Sequence, residues 1–179
     1  MQARGPLMIE HRLIERMISL INKDFLRQIE LDNEVEPELI DTAVDFISMY
    51  ADRTHHGKEE DILFRDLKEK ELSIEDRRLM DELIEEHAFG RRTTKSLAEA
   101  NSRYRDGARD ALGEISDNLK TLVGFYPRHI EKEDKVFFPA SRTYLTVQEE
   151  EAMLEEFREF DRKMIHEKYE SVVEGLERR

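Results

Sequence analysis

Apolar residues recur three or four positions apart along nearly the whole chain, with charged residues between them. This period places the apolar side chains on one face of an α-helix. The pattern is interrupted four times. It therefore predicts five helices, over about residues 7–31, 37–70, 73–103, 112–139 and 146–176.

The interruptions carry residues that begin or end helices. Glu36-Pro37 opens the second helix, because proline suits a first helical turn and disfavours helix in the residue before it. Ser73 resembles an N-cap, and Arg105-Asp-Gly107 reads as a turn. Thr146 and Glu149 have the spacing of a capping box, which starts the fifth helix.

Composition supports one all-α domain. The chain has 179 residues, of which 40% are charged, and it contains only 7 glycines and 4 prolines, too few for the many turns of a β-sandwich. The net charge is −13 without a basic cluster, which argues against a nucleic-acid partner. No segment has the apolar length of a membrane span or the pattern of a signal peptide, so we expect a soluble, cytoplasmic protein.

The chain has no cysteine, so disulfides, thiolate metal sites and cysteine nucleophiles are excluded. Any metal must therefore be held by nitrogen and oxygen donors. Histidine supplies such nitrogens, and there are six histidines in the chain.

Four of the histidines lie on the apolar stripes of the predicted helices. The stripes run through residues 7, 11, 14, 18, 21 and 25 in the first helix, 46, 49, 53, 56, 60, 63 and 67 in the second, 80, 83, 87, 90, 94 and 97 in the third, and 112, 115, 119, 122, 126, 129, 133 and 136 in the fourth. They predict that His11, His56, His87 and His129 face the core. Glu60 and Glu133 follow two of them by one turn, whereas Arg53 does not fit a core-facing stripe.

The four histidines also fall at one level of an antiparallel bundle. Helices joined by short turns bring together residues equally distant from the turn. His11 lies 23 residues before a turn near residue 34 and His56 lies 22 after it, and the other neighbouring pairs match to within two residues. At about 1.5 Å per residue the mismatches amount to only a few ångströms.

Two buried carboxylates among four imidazoles predict a metal site, because buried charge needs a counter-charge. The six donors are too many for one tetrahedral zinc and suit two ions, each bound by two histidines, with Glu60 and Glu133 as bridges. Iron, manganese and zinc all accept such donors. Tyr126, one turn before His129, is either a hydrogen-bond donor to a bridging ligand or a core tyrosine, and His55 and Glu59 are expected in the second shell or at the surface.

At these residues the sequence resembles the hemerythrin-like, HHE cation-binding family. The similarity is carried by four segments that span most of the first 140 residues: Met8-Ile-Glu-His11-Arg-Leu-Ile-Glu-Arg16, Ala51-Asp-Arg-Thr-His-His56-Gly-Lys-Glu-Glu60, Glu86-His87-Ala-Phe-Gly90-Arg91 and His129-Ile-Glu-Lys-Glu133-Asp134-Lys-Val-Phe-Phe-Pro139.

The resemblance implies an antiparallel, up-down-up-down four-helix bundle over residues 1–145, with an additional C-terminal helix over 146–179 packed on it or extending it. It also implies two iron ions, rather than zinc or manganese, with an oxo or hydroxo bridge. The implied ligands are His11, His56, Glu60, His87, His129 and Glu133. Arg91 stands where oxygen-carrying hemerythrins have a further histidine, so both irons would have open positions.

These features predict a non-haem di-iron protein that binds or reduces O2, NO or peroxide in an oxygen or redox response. Peroxidase or NO reductase activity at this site is a catalytic alternative, and iron storage, delivery or repair of iron centres is another. A metal-independent helical interaction module, able to form a homodimer through the fifth helix, is the alternative of a different class.

Overall fold

A computed structural model describes residues 2–177, and in this part of the chain the ordered elements are all helical. Five continuous helical runs follow one another, here named α1 to α5. The run α1 (residues 4–32) comprises Arg4–Leu20, Ile21–Phe25 and Leu26–Asp32; α2 (37–68) comprises Pro37–Asp45, Phe46–His56, Glu59–Phe64 and Arg65–Lys68, joined by two helical residues at 57 and 58; α3 is Ile74–Arg105; α4 (111–141) comprises Ala111–Lys132, Glu133–Phe137 and Phe138–Ser141; and α5 is Val147–Glu177. A short 3₁₀ turn, Arg142–Tyr144, precedes α5.

The helix boundaries use the local signals in the sequence. Pro37 is the first residue of α2, and the Ser73 hydroxyl accepts a hydrogen bond from the Asp76 amide at 3.0 Å. Gly107, with φ of 100°, turns the chain after α3, a conformation that glycine adopts without steric cost. The capping box is formed, since Glu149 accepts from the Thr146 amide at 2.8 Å.

Five of the six histidines lie in a polar layer between two apolar clusters, and His166 is exposed on α5. α1 and α3 pack against α4, α2 packs against α1 and α3, and α5 packs against α2. One cluster includes Ile14, Ile47 and Leu119, and the other includes Leu7 and Phe64. Because apolar layers close both sides of the polar layer, its side chains are held away from water.

The stripes predicted for α1 and α3 are confirmed, as is that of α4 up to residue 133, whereas in α2 only positions 56, 63 and 67 of the predicted stripe are buried. In place of positions 46, 49, 53 and 60 of that stripe, Ile47, Ala51, His55 and Glu59 are buried, while Arg53 is exposed. In α4 Phe137 is buried and Val136 is 53% exposed. Each of these departures from the predicted stripe coincides with π-helical turns, in which the hydrogen bonds span one more residue than in an α-helix.

The all-α fold class is thus confirmed for the described residues. The up-down-up-down topology and the division at residue 145 stay predictions, and residues 1, 178 and 179 of the two segments lie outside the described part of the chain. Within residues 2–177, no helix is both long enough and apolar enough to cross a membrane.

Candidate metal centre

Seven buried side chains of the polar layer form two adjacent groups of potential ligands. The three-histidine group consists of His56, His87 and His129, and the mixed group consists of His11, His55, Glu59 and Glu133. Within each group, one donor atom per residue lies within 4.8 Å of all the others. Every one of these side chains is at most 2% exposed.

The carboxylates of the mixed group lie between the two sets of imidazoles. Glu133 Oε2 is 3.1 Å from His11 Nε2, while its Oε1 is 3.3 Å from His129 Nε2. Glu59 Oε1 is 3.6 Å from His55 Nε2, while its Oε2 is 3.4 Å from His87 Nε2. Each carboxylate therefore presents one oxygen to each group.

All five imidazoles of the two groups have a carboxylate beside the opposite ring nitrogen, Nδ1. The Nδ1-to-oxygen distances are 2.7 Å for His11 to Asp134, 2.8 Å for His55 to Glu10, 3.4 Å for His56 to Asp52, 2.7 Å for His87 to Glu60 and 2.8 Å for His129 to Glu86. An ionised carboxylate only accepts hydrogen bonds, so the proton of a neutral imidazole is held at Nδ1. The lone pair of Nε2 then points into the polar layer, as a metal ligand requires.

A cation holds each of these outer carboxylates in turn. Arg12 pairs with Asp134, Lys58 with Glu10, and Lys132 with Glu86, while Arg91 pairs with both Asp52 and Glu60. The outer carboxylates are thus close to charge balance. Glu59 and Glu133, the two inner carboxylates, have no such partner among the lysines and arginines whose ion pairs are described.

The inner atoms lack partners in a way that a metal ion would resolve. Both oxygens of Glu59 and of Glu133, and Nε2 of His87 and of His129, are buried without a hydrogen bond. Buried polar atoms rarely stay unpaired in folded proteins. His11 Nε2 and His55 Nε2 face each other at 2.9 Å, so without a metal ion a proton must lie between the two nitrogens. A metal cation bound by both would take the place of that proton, so the donor set fits metal ions.

The titration of the inner carboxylates indicates the same need for positive charge. Burial and the charge of Glu133 raise the pKa of Glu59 well above its usual value. Burial also opposes ionisation of Glu133, but His129 and His11 outweigh it and lower the pKa of that carboxyl. Without a cation, therefore, one carboxyl of the pair keeps its proton. Burial likewise opposes charge on His11, yet the hydrogen bond to Asp134 and the nearby carboxylate of Glu133 raise the pKa of His11 to about 9.

Five of the six residues that the sequence pattern assigned to the metal lie in the two groups: His11, His56, His87, His129 and Glu133. Glu60 lies outside them, is 25% exposed, and accepts a hydrogen bond from His87 Nδ1. The π-helical turns of α2 direct Glu59 inward in its place, so the structure does not bring Glu60 together with the other five residues. His55 was likewise expected outside the first shell, but it is buried in the mixed group. In the sequence, the charged residue Arg53 on a stripe predicted to face the core was the indication that the helical register of α2 is displaced.

Tyr126 is buried next to His56, with the two rings nearly parallel at an angle of 13° and their centroids 6.5 Å apart. Burial raises the pKa of its hydroxyl, so the side chain is a neutral phenol. Its two roles, donor to a bridging ligand or core residue, both stay open.

Comparisons with known proteins connect this geometry to a family. The chain is 24% identical over 175 residues to the uncharacterized protein Rv1995 of Mycobacterium tuberculosis, an alignment that covers 97% of this chain and 67% of the relative. It has the same identity and coverage with the uncharacterized protein Mb2018 of Mycobacterium bovis. No solved structure is a significant match. The sequence profile of the hemerythrin HHE cation binding domain matches residues 6–141, which include all seven side chains of the two groups, and the chain therefore belongs to the hemerythrin HHE cation-binding family.

Proposed function

We propose that this protein holds two iron ions in an antiparallel helical bundle and uses them to bind or reduce O2, NO or peroxide. The observation that carries the proposal is the pair of carboxylates, Glu59 and Glu133, each with one oxygen toward each group of imidazoles. Carboxylates contributed by facing helices are the bridging ligands of di-iron sites in helical bundles.

The number of donor atoms differs between the positions of the two proposed iron ions. At the three-histidine group, three imidazoles and one oxygen of each inner carboxylate offer five donors. At the other position His11, His55 and the remaining two carboxylate oxygens offer four. Neither set completes a six-coordinate shell, so exogenous ligands have room to bind.

Nitrogen and oxygen donors of this kind suit iron, manganese and zinc, and the family supports a metal cation. Iron supplies redox chemistry toward O2, NO and peroxide that zinc does not. The chain's own residues orient the imidazoles through the outer carboxylates, and the apolar clusters exclude bulk water from the inner carboxylates.

The neighbouring residues Glu59 and Glu60 provide a matched test. Metal content per chain would be measured for the wild type, Glu59→Ala and Glu60→Ala, expressed with sufficient iron and purified without chelator. We expect about two irons in the wild type and at most one in Glu59→Ala, which loses two inner donor atoms. Glu60→Ala should retain two, more weakly bound, because it removes only the support of His87.

The same preparations test the ligand. The reduced wild type should change its electronic absorption on addition of O2, NO or hydrogen peroxide, and Glu59→Ala, with at most one iron per chain, should change less. Zinc in place of iron would remove the redox part of the proposal. Two ions in Glu59→Ala, or a folded wild-type protein that binds no metal, would refute the site itself.

A further inference from the structure

Arg91 is a partly exposed residue one turn after His87 on α3. Its Nε donates to Asp52 Oδ1 at 2.6 Å, and its Nη2 donates to Glu60 Oε1, also at 2.6 Å. Those two carboxylates face His56 and His87 respectively. One guanidinium thus reaches two of the three imidazoles of the three-histidine group through one carboxylate each.

Each of the other cations that pair with an outer carboxylate supports a single imidazole. Lys132 supports His129 through Glu86, whereas Arg91 joins the supports of two ligands for the same ion position. A guanidinium is planar and its donors have a fixed separation, so it fixes the two carboxylates relative to each other. An ammonium is a point charge on a flexible stem and does not do so.

His56 is the imidazole that is least tightly held by its own carboxylate. Its Nδ1-to-carboxylate distance of 3.4 Å is the longest of the five, since the others are 2.7 or 2.8 Å. A cavity of about 260 Å³ also lies against His56, with Gly90, Arg91, Asp52 and Tyr126 among its lining residues. This volume exceeds that of an engineered cavity large enough for benzene. The His56 ring stacks on His87 with the ring centroids 3.8 Å apart, and the Asp52–Arg91 pair restrains it beside the cavity.

We infer that Arg91 is a positioning residue which, by holding Asp52 and Glu60 together, fixes His56 and His87 for the metal ion of the three-histidine group. The inference rests on the proposed metal site and adds to it a selectivity between the two positions. Loss of Arg91 weakens the ion of the three-histidine group and leaves the ion held by His11 and His55 unchanged. A surface ion pair with a merely structural role would have no such selectivity.

The test is an anaerobic titration of the full chain with iron(II) in competition with a chromophoric chelator, fitted for two affinities. The variants are Arg91→Met and Arg91→Lys, and the control is the exposed neighbour in Arg92→Met. We expect Arg91→Met to weaken one of the two affinities by about 10–100-fold, the range typical of outer-shell changes, with the other unchanged. Arg91→Lys should recover part of the loss, because it can hold one carboxylate but not both.

Urea unfolding of the metal-free variants gives the second readout, and we expect midpoints close to the wild type because Arg91 is 39% exposed. Equal weakening of both affinities, a large loss of stability in the metal-free Arg91→Met protein, or an effect matched by Arg92→Met would overturn the inference. Two unchanged affinities in Arg91→Met would overturn it while leaving the proposed function intact. A wild type that binds no iron would instead refute the proposed function.

Discussion

Replacing Lys58 with methionine should destabilise the protein, mainly because the carboxylate of Glu10 loses its cation. Lys58 is fully buried on α2, and its Nζ donates to Glu10 of α1 and to Asp161 of α5, the latter at 2.6 Å. It also lies 6.0 Å from the centre of the Phe157 ring. Methionine has a similar volume and keeps the apolar contacts, so the change removes mainly the charge.

The size of the effect follows from the burial of the two partners. Removing one member of a buried ion pair costs about 3–5 kcal/mol, because the remaining charge is left without compensation. Glu10 is only 13% exposed and bears that cost, while Asp161 is 43% exposed and water can solvate it. We therefore expect the lower end, a decrease of about 3 kcal/mol in the free energy of unfolding at pH 7.

The loss should also depend on pH. Burial raises the pKa of Glu10 even with Lys58 beside it, and removal of the cation raises the pKa further. A carboxyl with a higher pKa in the folded than in the unfolded state stabilises the folded state as the pH falls, since it takes up a proton there first. The decrease in the free energy of unfolding of Lys58→Met is therefore greatest at neutral pH and becomes smaller in acid.

Urea unfolding of chelator-treated protein, followed by circular dichroism, measures these differences. Lys135→Met is the control, because Lys135 forms an exposed ion pair with Glu131 on the same helix and little change is expected. The double variant Glu10→Gln/Lys58→Met should regain much of the lost stability, since the carboxylate that Lys58 neutralised is then replaced by a neutral amide. If Lys58→Met is as mild as Lys135→Met, or if the double variant is no more stable than Lys58→Met, the reasoning is refuted.

Two further predictions concern the metal and the start of α5. Removing the metal with a chelator should lower the stability by about 4 kcal/mol at a free ion concentration 1,000 times the dissociation constant, and an unchanged melting temperature after complete removal would contradict the proposed link to folding. Glu149 is held by Lys70 and by the amide and hydroxyl of Thr146, which lower its pKa to about 2. This depressed folded-state pKa contributes stability above the unfolded value of 4.5 that is lost as the pH falls toward 2, so the stability difference between wild type and Glu149→Gln should shrink over that interval. Urea midpoints at pH 6, 4 and 2.5 would check this, and a constant difference would contradict it.

The helices were predictable because their signals are local. The apolar period of α1 and α3 placed His11 and His87 inward, as the structure has them, and Ser73 and Thr146 marked helix starts through hydrogen bonds within one turn. These contacts join residues close in sequence, so they can be read without knowing how the helices meet.

The register of α2 could not be read in the same way. A stripe at α-helical spacing predicted that Glu60 faces inward, whereas in the structure the π-helical turns direct Glu59 inward. The same turns bring the adjacent residues His55 and His56 to different groups of ligands. A one-residue difference in a helix rotates the side chain by about 100°, enough to exchange a buried ligand for its outer support.

By itself, the sequence determined the all-α class, the helix boundaries, the family and the kinds of donor atom, because each depends on residue type and short-range spacing. Only the tertiary structure decided that His55 and His56 belong to different groups, and that Glu59 rather than Glu60 lies among the inner donors. It also decided which carboxylate and which cation support each imidazole, as Arg91 does for two of them. Those choices depend on contacts between residues up to 123 positions apart, such as His11 with Asp134. Helix register and packing set such contacts, and the spacing of residues along one helix does not encode them.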